Sequence, residues 1–557
     1  MKPLLLLAAL ALTTAFAHQE VEVRFDPAAG KVTVGGGQLP MQGPDGFFLP
    51  TWLAAEEPFT YRIVLEAPLP WKALVPGRLV EETEERGRYR AVYESETPQD
   101  AIPLLAGPWS VRERMHGGIR LRTWFDAETA PLADDYLDLA AGYLDLYRGW
   151  IGEHAFAGFS VAAVPQPVGL GFPGLTAIGG RVLRLPFIRQ TSLGHEILHD
   201  WWGNGVYVDY ERGNWSEGLT TFMADYTYAL RRSPEEGRAM RRQWLRDYAA
   251  LPADRDRPAL AFRSKTHDAS QVVGYHKVAF LFHMLRDDIG SAAFDAAIRR
   301  FWRDFRFKAA NWDDLRQVFE AESGRDLKAF FGQWLARPGA PRLTLADAKA
   351  EGGKVAFTLR QDDPPYALSV PVVVDGRREA VRLDGREQHY ELPGGSELAV
   401  DPDADLFRRL DAAELPPILR DITLNGVAAV LAGADPAPAL AKALMDTPPR
   451  FGKPEAGRPA LLIGTSAEIE GFLAEAGLPP PPPEVAGRGT ARVWAGRGHL
   501  VVEANDAQAL AALARPLPHY GRRGWLVFEG SKAIAMGEWP AGDGPLRVRF
   551  SGNPSPR

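Results

Sequence analysis

The stretch His195-Glu196-Ile197-Leu198-His199 decides the fold of this 557-residue chain. On an α-helix, residues four apart lie one turn above each other, so His195 and His199 can present their imidazole nitrogens to one metal ion. Glu196 lies beside them and can reach a metal-activated water as a general base. Two histidines as metal ligands and an adjacent glutamate as general base are typical of a zinc hydrolase.

A third metal ligand is found downstream, in Asn214-Trp215-Ser216-Glu217-Gly218-Leu219-Thr220. A catalytic zinc ion takes three protein ligands and keeps one position open, and Glu217 would complete such a set. Thr191 and Ser192 indicate a helix start before the motif, Gly203-Asn204-Gly205 indicates its end, and a second helical pattern opens near Glu217. The motif could arise on a helix by chance, but this two-helix context favours a metal site.

Two longer runs carry a family resemblance, His195-Glu196-Ile197-Leu198-His199-Asp200-Trp201-Trp202-Gly203-Asn204 and Trp215-Ser216-Glu217-Gly218-Leu219-Thr220-Thr221-Phe222. They resemble the aminopeptidase N family of zinc peptidases, which includes leukotriene hydrolase. The interval between His199 and Glu217 is one residue shorter than is usual in the family, and a loop between two helices absorbs such a deletion easily. The resemblance extends roughly over residues 45 to 410 and implies a thermolysin-like catalytic domain.

The resemblance also implies a catalytic tyrosine. The run Val272-Val273-Gly274-Tyr275-His276-Lys277 resembles the family's Tyr-Glu-Lys-Gly segment, whose tyrosine hydroxyl donates to the oxyanion of the tetrahedral intermediate. By that likeness, Tyr275 has the same role. By pattern alone, Tyr275 would be a buried tyrosine on an apolar helix that includes Val278, Phe280 and Leu281.

The expected cofactor is one Zn2+ ion held by His195, His199 and Glu217. Such an ion polarises the scissile carbonyl and lowers the pKa of its water, while Glu196 takes the water's proton and later passes it to the leaving amine. Peptides are therefore the expected substrates, and Glu196 and Tyr275 are the expected catalytic residues.

This chain departs from the family at the position whose side chain binds the free N-terminal amine of the substrate. The family's exopeptidase motif, Gly-x-Met-Glu-Asn, should lie on a strand upstream of the zinc helix, and its glutamate binds the free amine. This chain has Val168-Gly169-Leu170-Gly171-Phe172-Pro173-Gly174-Leu175-Thr176, so the glutamate position falls on Gly171. Losing that carboxylate removes a charge-assisted contact worth about 1.5 to 3 kcal/mol. A carboxylate from another segment could replace it, or the enzyme could cleave internal peptide bonds, and the sequence leaves both open.

Other candidate residues have less support. His267, His276 and His283 keep no ligand spacing with a carboxylate or cysteine, so we interpret them as ordinary helix or loop histidines, although His276 could line the cleft. Asp225 is a lesser candidate for a hydrogen bond to a ligating imidazole. The pair Trp201-Trp202 is expected in the core rather than in contact with substrate.

The first residues predict a signal peptide over residues 1–17. A charged start, Met1-Lys2-Pro3, is followed by a short apolar stretch from Leu4 to Leu12 and by the small-x-small site Ala15-Phe16-Ala17. The apolar stretch is too short to span a bilayer comfortably, and no later segment resembles a membrane helix. We therefore expect a periplasmic or secreted enzyme without a transmembrane segment.

Composition excludes several classes of function. A net charge of -7 with dispersed Lys and Arg gives no basic stripe for nucleic acid. The absence of cysteine excludes disulfides and thiol redox chemistry. No Gly-x-Ser-x-Gly elbow occurs, which disfavours a serine hydrolase. Nothing in the sequence indicates the oligomeric state.

Length and periodicity predict a multidomain α+β protein. Residues 21–25, 31–34 and 61–65 alternate as strands do, helical patterns dominate between about 132 and 337, and strand patterns return at 355–359, 368–374 and 398–400. The predicted domains are the signal peptide at 1–17, an N-terminal β domain at 18–112, a thermolysin-like, mainly helical zinc peptidase domain at 113–340, a small β-sandwich at 341–411, and a C-terminal α/β domain of unknown role at 412–557.

The leading hypothesis is a zinc metallopeptidase of the aminopeptidase N type with altered recognition of the substrate's N-terminus. An endopeptidase is one alternative. A non-catalytic peptide-binding protein on a peptidase scaffold is another, although the presence of Glu196, Tyr275 and all three ligands argues against it.

Overall fold

The computed structural model describes residues 10–11, 18–40, 51–166, 169–185, 188, 192–266, 268–455, 457–539 and 544–550. They form two compact units that alternate along the chain. The first unit comprises Met1–Glu211, Trp215–Tyr228 and Ser291–Arg325, and the second comprises Arg212–Asn214, Ala229–Gly290 and Asp326–Arg557. Apart from Leu10–Ala11, the predicted signal peptide lies outside the described residues, as do Thr191, Val168 and His267.

The first unit begins with an eight-stranded sheet that has one face on a core. In the strand His18–Asp26, Val21, Val23 and Phe25 are buried and the residues between them are exposed, as a half-buried strand requires. The strands predicted at 21–25, 31–34 and 61–65 are confirmed. The sheet consists of Leu10–Ala11, His18–Asp26, Lys31–Val34, Gly37–Pro40, Thr51–Pro68, Lys72–Leu74, Arg78–Glu85 and Arg88–Gly107.

The strands of a second sheet in the first unit precede the HExxH motif in the chain. Its order is Gly169–Phe172, Leu175–Gly179, Gly158–Val164, Ile119–Phe125 and Ser110–His116. The strand predicted upstream of the motif is therefore present as Gly169–Phe172. Helices predominate between residues 132 and 337, as predicted, and the strands Gly158–Val164, Gly169–Phe172 and Leu175–Gly179 lie among them.

The helices of the first unit follow from ordinary start and stop signals. Pro131 lies in the short 3-10 turn Ala130–Leu132, and the helix Ala133–Trp150 begins directly after it, at the start of the region where helical patterns were predicted. Asn311 caps another helix by accepting from the backbone of Asp314, and Gly324 ends it with a φ of +68°. The α-helices are Ala133–Trp150, Gly180–Leu183, Ser192–Leu198, Ser216–Thr221, Ser291–Phe305 and Trp312–Ser323, with a π-helical turn at Phe222–Tyr226.

Buried aromatic residues fix the motif helix Ser192–Leu198 within the first unit. The Tyr147 hydroxyl donates to the carbonyl of Gly194 at 2.8 Å and also hydrogen-bonds the Tyr228 hydroxyl. The pair Trp201-Trp202 is fully buried, which confirms its prediction as core. The helix is thus attached to a rigid support rather than to a mobile loop.

The second unit contains helices and three sheets. Its α-helices are Pro234–Ala249, Asp268–Gln271, Val278–Ile289, Lys328–Ala336, Arg420–Thr423, Ala437–Leu444, Ser466–Ala476 and Ala507–Ala512, together with Thr227–Arg232, which begins in the first unit, and a π-helical turn at Val272–Lys277. Ser233 caps the helix Pro234–Ala249 by accepting from the backbone of Glu236 at 3.1 Å, with proline at the first helical position.

Two antiparallel sheets occupy the region between residues 343 and 400, where strands were predicted. One consists of Leu343–Glu351, Lys354–Gln361 and Glu387–Pro393, and the other of Arg377–Leu383, Leu368–Val374, Glu397–Val400 and Arg547–Arg549. The last of these strands comes from the far end of the chain and pairs with residues 397–399. Sequence periodicity does not reveal such a long-range pairing.

A seven-stranded sheet with helices follows, as the alternation of patterns predicted. Its order is Arg450–Phe451, Ala429–Ala432, Ala460–Thr465, His499–Ala504, Ala491–Gly496, Trp525–Glu529 and Lys532–Gly537. Apolar clusters cover the two faces of its central strands, which explains why those strands are apolar throughout. Within the described residues, no helix has both the length and the apolar character needed to cross a membrane.

Gly194 provides a test of how closely the motif helix is packed. A Cβ atom at this position would lie 2.8 Å from Tyr228 Cε2 and 2.9 Å from Tyr143 Cε1, so Gly194→Ala forces buried rings to move. We expect it to lower the free energy of unfolding by about 1 to 3 kcal/mol. The measurement is denaturant unfolding. In the exposed helix position Gly142, with nothing within 4 Å of the added Cβ, alanine should instead stabilise by about 0.4 to 1 kcal/mol. Equal effects of the two substitutions would contradict the packing argument.

Candidate active site

The helix Ser192–Leu198 presents both histidines of the motif to one point. It ends one residue before His199 rather than at Gly203, but the backbone N–H of His199 still donates to the carbonyl of His195 at 3.3 Å. The two imidazoles therefore remain one turn apart on the same side, with ring centroids separated by 5.0 Å. The two histidines thus keep the predicted one-turn spacing, although the helix is shorter than predicted.

Glu217 joins the two histidines from the second predicted helix. One of its carboxylate oxygens, Oε2, lies 3.6 Å from His195 Nε2 and 3.4 Å from His199 Nε2. One ligand atom from each residue lies within 4.8 Å of the other two. The structure thus brings together the three residues that the sequence nominated as ligands.

Each imidazole is oriented through its other nitrogen. His195 Nδ1 lies 2.7 Å from Asp225 Oδ2, and His199 Nδ1 lies 2.9 Å from the carbonyl oxygen of Trp202. Both acceptors need a proton on Nδ1, so the neutral form of each ring has its lone pair on Nε2, the nitrogen that faces Glu217. Asp225, which sequence reasoning ranked low, is thus a direct partner of a ligand histidine.

A π-helical turn determines where Asp225 lies relative to Glu217. Two turns of a regular α-helix span about 7.2 residues, which would align residue 224 with Glu217. The π-helical turn Phe222–Tyr226 contains more residues per turn than an α-helix. Asp225 therefore lies on the side of the helix that bears Glu217. A sequence pattern read with a constant period of 3.6 misses this shift.

The carbonyl of Trp202 connects the two ligand-bearing helices. It accepts hydrogen bonds from His199 Nδ1 and from the Ser216 hydroxyl, the latter at 2.6 Å, and Ser216 immediately precedes Glu217. Beneath them, the buried rings of Trp202 and Trp215 pack edge to face at 6.2 Å, and the indole N–H of Trp215 donates to the carbonyl of Ala310. The ligands therefore have a common anchor.

The electrostatics favour an anionic Glu217. Burial alone would raise its pKa, but the imidazoles of His199 and His195 outweigh burial and hold the pKa far below the usual glutamate range. For His195, burial opposes a positive charge, and the Asp225 carboxylate outweighs it and raises the imidazole pKa. The cluster therefore supplies a carboxylate ligand together with two oriented imidazoles.

Glu196 has the environment expected of a general base. Burial raises the pKa of its carboxyl, and the neighbouring imidazoles oppose this only in part. A raised pKa increases the proton affinity of the carboxylate and brings it closer to the range in which a base operates at neutral pH. Its position next to His195 on the same helix agrees with the role that the sequence predicted.

The strand Gly169–Phe172 places two glycines against this carboxylate. A Cβ atom at Gly169 would lie 3.4 Å from Glu196 Oε1, and one at Gly171 would lie 3.1 Å from Glu196 Oε2 and 3.6 Å from His199 Cβ. A side chain at position 171 would therefore point at the histidine cluster, where the family's amine-binding glutamate is expected. In this chain the glycine at that position carries no charge and avoids a tight contact between a Cβ atom and Glu196 Oε2.

Asp200 holds the strand hairpin against the motif helix. Its side chain is fully buried, with Oδ2 2.7 Å from His154 Nε2 and Oδ1 accepting from the backbone N–H of Gly174 at 2.9 Å. Gly174 has a φ of +66°, and an added Cβ would lie 2.6 Å from the carbonyl oxygen of Gly158. Sequence reasoning assigned no role to Asp200, although an acidic residue directly after the motif was a visible signal.

The remaining predicted residues belong to the second unit. Tyr275 is partly exposed and lies in the π-helical turn Val272–Lys277, between buried neighbours. His276 is buried 3.3 Å from Asp247, and the partly buried His283 lies 3.3 Å from Asp405, so each is paired with a carboxylate within the packed helices.

The donor set fits a zinc ion. Two imidazole nitrogens and one carboxylate oxygen are the ligands of many catalytic zinc sites, and both rings are held in the tautomer that turns Nε2 toward the centre. Within the described part of the chain, His195, His199 and Glu217 are the one group of three His, Cys, Asp or Glu side chains that lie close enough together to hold a metal ion.

Comparisons with known proteins agree with this site. Residues 189–334 match the model of the peptidase family M1 domain. Aminopeptidase M1-A of Oryza sativa subsp. japonica is 23% identical over 378 residues, which are 62% of this chain and 42% of that protein. Tricorn protease-interacting factor F2 of Thermoplasma volcanium is 23% identical over 250 residues, 40% of this chain and 30% of that protein. The chain thus spans less than half the length of these relatives.

A solved structure shows the same fold. The crystal structure of Legionella pneumophila aminopeptidase A in complex with aspartic acid is similar with a TM-score of 0.52 and 18% identity, covering 70% of this chain and 51% of that chain. The region that matches the family model includes the two motif histidines, Glu217 and Tyr275. The resemblance drawn from the sequence is therefore confirmed: residues 189–334 match the peptidase family M1 domain, and the chain is similar to aminopeptidases at low identity.

Proposed function

We propose that this protein is a zinc-dependent metallopeptidase of the aminopeptidase type. The observation that carries the proposal is the convergence of His195 Nε2 and His199 Nε2 on Glu217 Oε2, at 3.6 and 3.4 Å, beside the carboxylate of Glu196. One zinc ion, bound by these three ligands, would polarise the scissile carbonyl and lower the pKa of its water.

The chain's own residues then carry the proton transfers. Glu196 takes a proton from the attacking water and delivers it to the leaving amine, for which its raised pKa suits it. Tyr275 donates a hydrogen bond to the oxyanion; this role rests on the family resemblance and on the partial exposure of Tyr275 among buried neighbours.

The strand Gly169–Phe172 supports a proposal about substrate binding. Among the described residues it pairs only with Leu175–Gly179, so its other edge can accept an extended peptide as an additional strand. Gly171 supplies no carboxylate for a free amine. We therefore propose altered recognition of the substrate's N-terminus, and an endopeptidase is the second candidate that this same observation favours.

We also propose that the enzyme acts in the periplasm or outside the cell. The proposal rests on the sequence pattern of residues 1–17 alone, with its charged start, apolar stretch and small-x-small site.

The first test removes the general base. Glu196→Gln should bind zinc as the wild type does and lower kcat about 100- to 10,000-fold, because the amide cannot accept the proton. Zinc content is measured by mass spectrometry, and hydrolysis by release of product from peptides with free and with acetylated N-termini. Wild-type protein that bound zinc but cleaved neither peptide would support the non-catalytic peptide-binding protein instead.

A second test concerns the orientation of His195. Asp225→Asn exchanges the carboxylate 2.7 Å from His195 Nδ1 for an amide, and we expect zinc affinity to fall about 10- to 100-fold. Affinity is measured by competition with a chromogenic chelator. Asp295→Asn is the matched control, since Asp295 accepts from the indole N–H of Trp150 and contacts no ligand in the described structure. Equal zinc affinities of the two variants would rule out the orienting role.

A third test restores the missing carboxylate. Gly171→Glu should raise the ratio of kcat/KM for free-amine over acetylated peptides by about 10- to 150-fold relative to Gly171→Gln, which corresponds to one charge-assisted contact. Both variants introduce the same crowding near Glu196, so their comparison isolates the charge. The same ratio for both variants would show that position 171 does not face the substrate's amine.

A further inference from the structure

The fully buried carboxylate of Asp247, in the second unit, contacts two arginines and a histidine from distant parts of the chain. Asp247, on the helix Pro234–Ala249, lies 3.1 Å from Arg420 Nη1, 3.1 Å from Arg522 Nε and 3.3 Å from His276 Nδ1. Burial raises the pKa of a carboxyl group, but Arg522 and Arg420 outweigh burial here and hold the pKa of Asp247 below its ordinary value. Asp247 is therefore a charged centre whose cost of burial is balanced by the two guanidinium groups.

His276 connects this centre to the segment that bears Tyr275. Arg522 Nη2 lies 3.1 Å from His276 Nε2, and a guanidinium group can only donate, so Nε2 accepts and the ring proton is on Nδ1, facing Asp247. Burial lowers the pKa of His276 to about 3, which agrees with a neutral ring. The Trp244 ring stacks on the imidazole with centroids 6.1 Å apart. The orientation of His276 is thus fixed from three sides.

The neighbours of Tyr275 are fixed while its own side chain is partly exposed. Lys277 is buried, and its ammonium group donates to the carbonyls of Arg337 and Gly339, at 3.1 Å each. On the other side, any Cβ at Gly274 would overlap the ring of Phe262, whose centroid lies 5.8 Å from that of Tyr275. Tyr275 therefore takes its position from the residues on either side of it.

Both arginines that contact Asp247 lie in residues 412–557, the region to which the sequence analysis assigned no role. Arg420 lies on the helix Arg420–Thr423, and Arg522 follows the 3-10 turn Leu517–Tyr520, both within the predicted C-terminal α/β domain. We propose that Arg522 is a positioning residue for the catalytic reaction: through His276 and Asp247 it fixes the π-helical turn that presents Tyr275. The proposal rests on the function proposed above for Tyr275.

Arg522→Ala tests the structural part of the proposal without any assay of activity. Hydrogen exchange of the peptide covering residues 272–277 should become faster in Arg522→Ala, since His276 loses its donor. Arg523→Ala is the matched control, because Arg523 has the same 43% side-chain exposure but lies 3.7 Å from Glu538, outside the network. Equal exchange in the two variants would overturn the proposal.

Kinetics test whether the fixed turn matters for catalysis. Arg522→Ala should lower kcat by about 10- to 100-fold with little change in KM, because a displaced Tyr275 affects the transition state more than substrate binding. In a Tyr275→Phe background the same substitution should cost less than twofold, since the hydroxyl to be positioned is gone. Arg522→Lys, which keeps a donor for His276, should recover part of the loss.

The outcomes separate this proposal from the function on which it rests. If the wild type hydrolyses no peptide, the proposed function fails, and the exchange experiment alone still decides whether Arg522 fixes the turn. If the wild type is active but Arg522→Ala behaves as Arg523→Ala does, the positioning proposal is wrong and the peptidase proposal stands. An equal loss from Arg522→Ala with and without the Tyr275 hydroxyl would indicate general destabilisation and would also refute positioning.

Discussion

The hydrogen bonds made by the Nδ1 atoms of His195 and His199 are the constraint on which the site depends. One is held by Asp225 and the other by the carbonyl of Trp202, so both rings turn Nε2 toward Glu217. The Trp202 carbonyl also accepts from Ser216, which ties the helix of the histidines to the helix of Glu217. Buried aromatic rings beneath these groups keep the arrangement rigid, as a preorganised site needs.

The space opposite Glu196 has a different origin. Gly169 and Gly171 lie on the same side of an edge strand, and both face the carboxylate of Glu196 without a side chain of their own. Asp200 holds this hairpin through the backbone N–H of Gly174, so the space belongs to a fixed strand. The glycine at position 171 thus leaves this space without a carboxylate, while His195, His199 and Glu217 lie close together beside Glu196.

In the second unit, a buried carboxylate has an organising role. Asp247 contacts Arg420 and Arg522, which lie in the C-terminal region, and His276, which lies in the turn that bears Tyr275. Leaving the buried Asp247 carboxylate without its guanidinium partners would be costly, so the contacts between these distant segments are strongly specified. The C-terminal α/β region thereby acquires a physical connection to a residue proposed to act in catalysis.

The sequence by itself determined the local features: the one-turn spacing of His195 and His199, the helical context of Glu217, and strands and helices wherever a clear period of 2 or 3.6 residues was present. Each of these follows from interactions between residues near each other in the chain. Only the tertiary structure decided the partnership of Asp225 with His195, the network around Asp247, and the return of the strand Arg547–Arg549 to Glu397–Val400. A π-helical turn shifts the helical period, and these ion pairs and this strand pair join segments more than a hundred residues apart, so no local pattern encodes them.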